Sequence, residues 1–194
     1  MPSHPDQPDK PSKSDRTRSA ILEAAQRLFA ERGYDGTTIR DVAAEAAIDP
    51  AMVIRYFGSK DELFIRAAAI ELELPALHKV ARTSIGEALV RHFLGIWEGP
   101  QANSGMAVLL RSAASNDLSA GKMREVFAAQ VLPALARVGT RATVGRRAGL
   151  VASQLLGLAL CRYVLKLPAI AEMPVEELVK QVAPTIQRYA VGER

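Results

Sequence analysis

The chain of 194 residues holds a single cysteine, Cys161. That excludes an internal disulfide and leaves a thiolate metal site without partners. The three histidines, His4, His78 and His92, are scattered, so no imidazole cluster reads as a metal site and neither a metal nor a cofactor is expected. The longest uncharged apolar run, residues 148–161, spans 14 residues, well short of the roughly 20 needed to cross a bilayer. The opening stretch MPSHPDQPDKPSKS has no apolar core of the kind a secretory signal carries. These absences point to a cytoplasmic protein with no membrane partner. Also missing are a glycine-rich phosphate loop, an HExxH motif, a paired ExxH motif and a nucleophile with an identifiable base, so catalysis is not indicated. No segment combines strand alternation with turn chemistry, and there is no internal repeat, which leaves an all-α fold.

The net charge of +4 suggests an anionic partner, but its distribution weakens that suggestion. Residues 1–67 carry ten Lys and Arg against eleven Asp and Glu, while the excess of basic residues lies beyond them. A nucleic-acid argument therefore rests on where individual charges sit rather than on their total.

About nine helices are legible. Residues 1–13, with four prolines and mostly polar neighbours, read as a disordered tail. From Asp15 the residues Ile21, Leu22, Ala25, Leu28 and Phe29 fall on one helical stripe, and Gly33 ends it. Thr38 with Asp41 resembles a capping box opening TIRDVAAEA. Asp49-Pro50 opens AMVIRYF, since proline suits a first helical turn. Ser59 with Glu62 opens a longer helix expected to run over residues 59–74, until Pro75 stops it. Further helices are expected near residues 84–98, 104–115, 119–138, 144–166 and 174–190. The expected organisation is a tail over 1–13, a helix-turn-helix domain over 14–66 and a helical domain over 67–194.

Two short helices joined by about three residues are the unit that places a helix in the major groove. Ala43 and Ala47 are small and flank the turn, and Val42, Ile48, Val53 and Phe57 supply the apolar contact between the helices. Thr38 and the N–H groups beside it suit a phosphate, as does Lys60 at the start of the next helix. Arg40, Arg55 and Tyr56 project from the short helices, and Arg16 and Arg18 stand at the start of the first helix. Arg55 is the candidate for reading a base edge, because arginine matches guanine bidentately. On packing alone the same pair is equally an ordinary helical hairpin, with Arg55 a solvated side chain and Tyr56 a core residue.

The run TIRDVAAEAAIDPAMVIRYFGSKDELF, preceded by FAERGYDGTT, closely resembles the DNA-binding domain of the tetracycline-repressor (TetR) family over residues 15–66. The resemblance implies a homodimeric transcriptional repressor, released from a near-palindromic double-stranded operator by an unknown small-molecule effector. It also implies that Thr38, Arg40, Tyr56 and Lys60 contact phosphates or groove edges. Pro50, Ala51, Met52, Ile54 and Arg55 would occupy the operator-specific positions of the recognition helix. The chain departs from the common pattern with Ala47 in place of glycine, Met52 in place of threonine and Ile54 in place of tyrosine. Alanine is expected to fit the turn nearly as well, and Met52 and Ile54 suit thymine methyl groups.

In the family the remaining helices bind the effector and dimerise. The stretch RRAGLVASQLLGLALCRYVLKL is apolar on more than one face, so it needs cover on both sides. Leu155, Leu158, Arg162, Leu178, Val182 and Ile186 are the candidate dimer interface; the alternative is a monomer's core helix. His92, Phe93, Trp97, Met106, Leu110, Arg111, Phe127 and Gln130 are the candidate pocket lining, each of them alternatively plain core. Arg111, if buried, needs a carboxylate, a carbonyl or an anionic ligand. Cys161 reads as a small filler. The expected coupling between effector and DNA is a tilt of helix 59–74.

Overall fold

The computed structural model describes residues 12–99 and 104–192. Every regular element among them is helical. The chain divides into two compact units, with the division falling between Ala67 and Ala68. Of the tail expected over residues 1–13, residues 1–11 lie outside the described residues. Ser12 and Lys13, also assigned to that tail, instead cap and open the first helix.

In the first unit, local polar chemistry sets each helix boundary. Helix α1 (Lys13–Arg32) starts where Ser12 and Asp15 exchange bonds in a capping box, the Asp15 N–H donating to Ser12 Oγ at 3.1 Å. It buries Ile21, Ala24, Ala25, Leu28 and Phe29. The buried Thr37 hydroxyl donates to Gly33 O and Leu28 O, satisfying carbonyls at the end of α1. Helix α2 (Ile39–Glu45) opens on the Thr38–Asp41 box. Helix α3 (Pro50–Phe57) opens where Asp49 accepts from the Ala51 N–H at 2.7 Å. Helix α4 (Lys60–Ala67) follows Ser59, whose Oγ accepts from the Glu62 N–H. Phe64 lies edge-on to both Phe29 and Tyr34, with ring centroids 5.1 Å apart in each pair.

Helix α4 stops at Ala67, whereas the sequence suggested a helix through residue 74. Residues 69–76 are irregular. Here backbone groups find side-chain partners in place of helical ones. Gln130 Nε2 donates to Ile70 O and Gln130 Oε1 accepts from the Leu72 N–H, both at 2.7 Å. His92 Nε2 donates to Leu72 O at 2.6 Å. Glu73 takes a positive φ of 46°, a further break with helical geometry.

The second unit is built on α5 (Ile85–Glu98) and α11 (Val175–Val191). Gly86 permits their close approach, since a Cβ there would stand 2.6 Å from Gln187 N. Its N–H, an orphan donor of the first turn, is taken by Gln187 Oε1 at 2.7 Å, while Gln187 Nε2 donates to Arg82 O. Around this pair lie α6 (Ser104–Ser112), α7 (Asp117–Val126), α8 (Leu132–Ala136), α9 (Val144–Ala159) and α10 (Pro168–Ala171). The helix expected over 119–138 is continuous but widens to π geometry over Phe127–Val131. Pro133 accounts for this: it has no N–H for Ala129 O, and its ring crowds that carbonyl. The core joins Leu89, Phe93 and Leu94 of α5 to Val151 and Leu155 of α9 and to Leu178 and Ile186 of α11.

Arg147 is buried without a carboxylate partner among the described residues. Its guanidinium donates to Ala190 O, to Leu135 O at 3.3 Å and to Thr140 O at 3.1 Å, and its Nε donates to Thr143 Oγ1. The ends of α8 and α11 thus supply partial negative charge in place of an anion. Burial, then the charge of Arg82, pushes its pKa below the ordinary arginine value. Arg147→Ala leaves these carbonyls without a donor and is expected to lower unfolding stability by about 3 kcal/mol or more. Chemical denaturation checks this, and Arg147→Lys should restore only part of the loss, because a single ammonium cannot reproduce the fork.

The α2–α3 turn carries a second local cost. Ala47 has φ of +54°, in the left-handed region, and it is exposed. Its small size therefore does not serve packing, and alanine is a poorer fit here than the sequence suggested. The left-handed penalty for a residue with a Cβ exceeds the entropy cost of glycine. Ala47→Gly is expected to raise stability by about 0.5–1 kcal/mol, read as a higher denaturation midpoint.

Candidate nucleic-acid interface and interior cavity

Val53 and Phe57 anchor α3 in the first unit's core. The opposite face of the helix is thereby fixed outward, and Pro50, Ala51, Ile54 and Arg55 on it are exposed. Ile54 is 45% exposed, the one large aliphatic side chain so exposed among the described residues of the first unit. Arg55 has no ion-pair partner among the described residues. Met52 and Tyr56 are half-buried at the edges of this face, and the Arg18 guanidinium lies 5.6 Å from the Tyr56 ring centroid. Tyr56 is therefore neither fully core nor free.

The other expected contacts differ in how available they are. Arg16 and Arg40 are exposed. Arg18 also approaches Asp15 at 3.9 Å, a loose surface pair. Thr38 is already engaged: its hydroxyl donates to Asp41 Oδ2 at 2.6 Å and its N–H donates to the same oxygen at 2.8 Å. The Asp41 carboxylate thus occupies the spot expected to receive a phosphate from Thr38. These hydrogen bonds from the Thr38 side chain and backbone hold the Asp41 pKa below the usual carboxylate range. Lys60 Nζ sits over the Tyr34 ring, 4.1 Å from its centroid. The Tyr34 hydroxyl donates to Asp61. Burial, then the hydrogen bond and charge of Asp61, pushes the Tyr34 hydroxyl up to about 12. Tyr34 positions Lys60 and escaped the sequence reading. Its signal was the GYDG turn, read there as a helix stop and as part of the family resemblance.

The second unit holds a partly open apolar cavity of about 90 Å³. Of the expected lining residues, His92, Phe93, Met106 and Phe127 face it. The other four do not. Trp97 stacks flat on Tyr163, with centroids 4.6 Å apart. Leu110 packs on the hydrophobic core, and Gln130 turns to the backbone of residues 70 and 72. Arg111 is exposed and needs no buried counter-charge. Leu72 and Leu74 complete the wall, as do Met123 and, from α9, Val151 and Leu155. Leu72 and Leu74 were obscured because the segment containing them reads as helix, and Leu155 because it reads as interface.

The expected dimer surface also needs correction. Leu155, Leu178 and Ile186 are buried in their own unit and have no face left for a partner. Leu158 and Val182 are half-buried against the same core. Arg162 donates to Glu98 Oε1 at 2.8 Å and to the carbonyls of Ile170, Ala171 and Met173, holding α10 in place. Burial raises the Glu98 carboxyl, but the Arg162 and Tyr163 hydrogen bonds more than offset it and hold its pKa below the ordinary value. The outward face of α9 instead carries Gly149, Leu150, Ser153 and Gly157, followed by Leu160. Leu165 and Leu167 are exposed just beyond it.

No group of three or more His, Cys, Asp and Glu that could hold a metal occurs among the described residues, and no helix there is long and apolar enough to cross a membrane.

Comparison with known proteins follows the same division of the chain. Residues 21–67 match the model of bacterial regulatory proteins of the tetR family, and residues 84–190 match that of the tetracyclin repressor-like C-terminal domain. An HTH-type transcriptional repressor of Mycobacterium tuberculosis is 47% identical over 53 residues, spanning 27% of this chain and 28% of that protein. The HTH-type transcriptional repressor AcnR of Corynebacterium glutamicum is 32% identical over 102 residues, 53% of this chain and 50% of that protein. Both matches thus reach half or less of the relative's length. The crystal structure of a TetR-family regulator from Streptomyces coelicolor A3 is 30% identical with a TM-score of 0.61, covering 95% of this chain and 99% of that one. With its second unit matched over more than half of the chain and its first matched at the helix-turn-helix, the protein belongs to the TetR family.

Proposed function

We propose that this chain is a cytoplasmic, homodimeric transcriptional regulator without catalytic activity, which represses by holding a near-palindromic double-stranded operator through α3. The observation that carries this reading is the outward face of α3, where Ile54 and Arg55 stand exposed on a helix whose other face is locked by Val53 and Phe57. A rigid helix with one unpaired guanidinium and one aliphatic side chain suits a guanine edge beside a thymine methyl. Arg16, Arg40 and Lys60 supply phosphate contacts, which position the protein without reading sequence.

A single short helix contacts few base pairs, so two-fold pairing belongs to the same reading. The outward face of α9 supports it. Added Cβ atoms at Gly149 and Gly157 would meet nothing within 4 Å. Glycine inside a helix costs about 1 kcal/mol relative to alanine, and nothing among the described residues uses the room it leaves. A second copy packed against Leu150 and Leu160 would use it. A small-molecule effector in the cavity of the second unit would move Leu72 and Leu74, whose chain leads back to α4. By linkage, effector and operator then weaken each other's binding by the same factor.

Selection of genomic fragments by the purified protein at two salt concentrations tests the reading. An enriched near-palindromic motif with steep salt dependence is expected, and no enrichment by effector-stripped protein at low salt would sink it. On the selected site, Arg55→Ala should relax one base pair by about 1–3 kcal/mol, whereas Lys60→Ala should weaken all sequences alike and flatten the salt slope. Leu150→Glu is expected to shift the protein from dimer to monomer in sedimentation, with Leu150→Met remaining dimeric.

A further inference from the structure

The cavity of the second unit has a definite chemistry. Among the described residues no charged side chain lines it, and His92 is the one polar lining residue. The His92 Nε2–H is spent on Leu72 O. The Gln130 amide, which sequence places close by, is spent on the backbone of residues 70 and 72. Arg111, the cation that would have matched an anionic effector, is exposed and outside the lining. A charged or strongly polar ligand would lose its hydration here and gain no partner. A hydrocarbon surface loses nothing on entry and exchanges water for dispersion contacts.

We infer that the cavity binds a small uncharged apolar molecule, aromatic or aliphatic, and rejects anionic and cationic ligands of the same size. The inference rests on the effector reading above and names the ligand class of that site. Size follows from the space and its walls. A hydrocarbon-lined cavity of about 150 Å³ stays dry and takes up benzene. The cavity here is about 90 Å³, so a guest of that kind must widen it. Met106 and Met123 are the lining side chains suited to give way, being unbranched with three rotatable bonds. Leu74 can move as well, because its segment is irregular and the His92 and Gln130 hydrogen bonds hold residues 70 and 72 rather than residue 74.

The chain carries its own reporter. Trp97 is its only tryptophan, and its ring centroid lies 6.3 Å from that of Phe93, a lining residue. Titration of the full-length protein, without DNA, with ethylbenzene, benzoate and benzylammonium tests the inference through Trp97 emission and the thermal midpoint. Ethylbenzene is expected to change the emission saturably and raise the midpoint, with both ions bound at least about tenfold more weakly. Ala152→Phe, placed to fill the cavity, is expected to abolish the ethylbenzene response while the melt stays cooperative. Should that variant fail to fold, the charge series on the unmodified protein decides alone. Equal binding of benzoate or benzylammonium, absence of saturable ethylbenzene binding, or an undiminished response in folded Ala152→Phe would each overturn it. A protein that takes ethylbenzene but no DNA would support this inference while sinking the regulatory one. A protein that enriches an operator but takes no neutral probe would do the reverse.

Discussion

A buried positive charge with no anion beside it among the described residues must be neutralised by dipoles, and Arg147 places that constraint where helices of the second unit end. Its donors are taken by carbonyls of Leu135, Thr140 and Ala190 and by the Thr143 hydroxyl. These carbonyls lie at or just past the ends of α8 and α11. Where helices end, their last carbonyls need donors, and one planar guanidinium reaches several at once. Gly139 is part of the arrangement, because a Cβ there would collide with the guanidinium. The α8–α9 connection, the close of α11 and the start of α9 are thus set by one side chain. The apolar core and its cavity are built on helices fixed in this way.

Two glutamines solve a related problem where helices are interrupted. Gln187 satisfies the Gly86 N–H at the start of α5 and donates to Arg82 O. Gln130 does the same for Leu72 N–H and Ile70 O in the segment after α4. Both act as a stand-in peptide group, one donor and one acceptor side by side, where the backbone has left the helical ladder. This is also why the cavity is so free of polar atoms: the polar side chains near it are consumed in holding the main chain.

Much of the first unit was legible in the sequence because its information is local. Thr38, Asp49 and Ser59 cap within three residues of themselves, and the apolar stripe of α1 follows a fixed period. The exposed face of α3 follows from Val53 and Phe57. What escaped depended on distant partners or on backbone conformation. The Thr38–Asp41 box was legible, but not that it would leave the Thr38 donors engaged rather than open to a phosphate, and Tyr34 acts on Lys60 and Asp61 across the fold. In the second unit the end of α4 was misjudged because AAAIELEL has strong helical propensity, overridden by Gln130 and His92 from far along the chain. Leu155, Leu178 and Ile186 were drawn to the surface on paper because a helix apolar all round does not say which side meets its own core.

The Gln130 bridge has a consequence in terms of orientation. An amide is nearly symmetric in shape but not in chemistry: one end gives hydrogens and the other receives them. At this site the order is fixed, oxygen toward Leu72 N–H and nitrogen toward Ile70 O. A half-turn about the last side-chain bond would set hydrogen against hydrogen and oxygen against oxygen, so a shape-neutral rotation becomes forbidden. The segment after α4 is therefore held by a polarised key rather than by a simple tether, and register along the chain is recognised as well as distance.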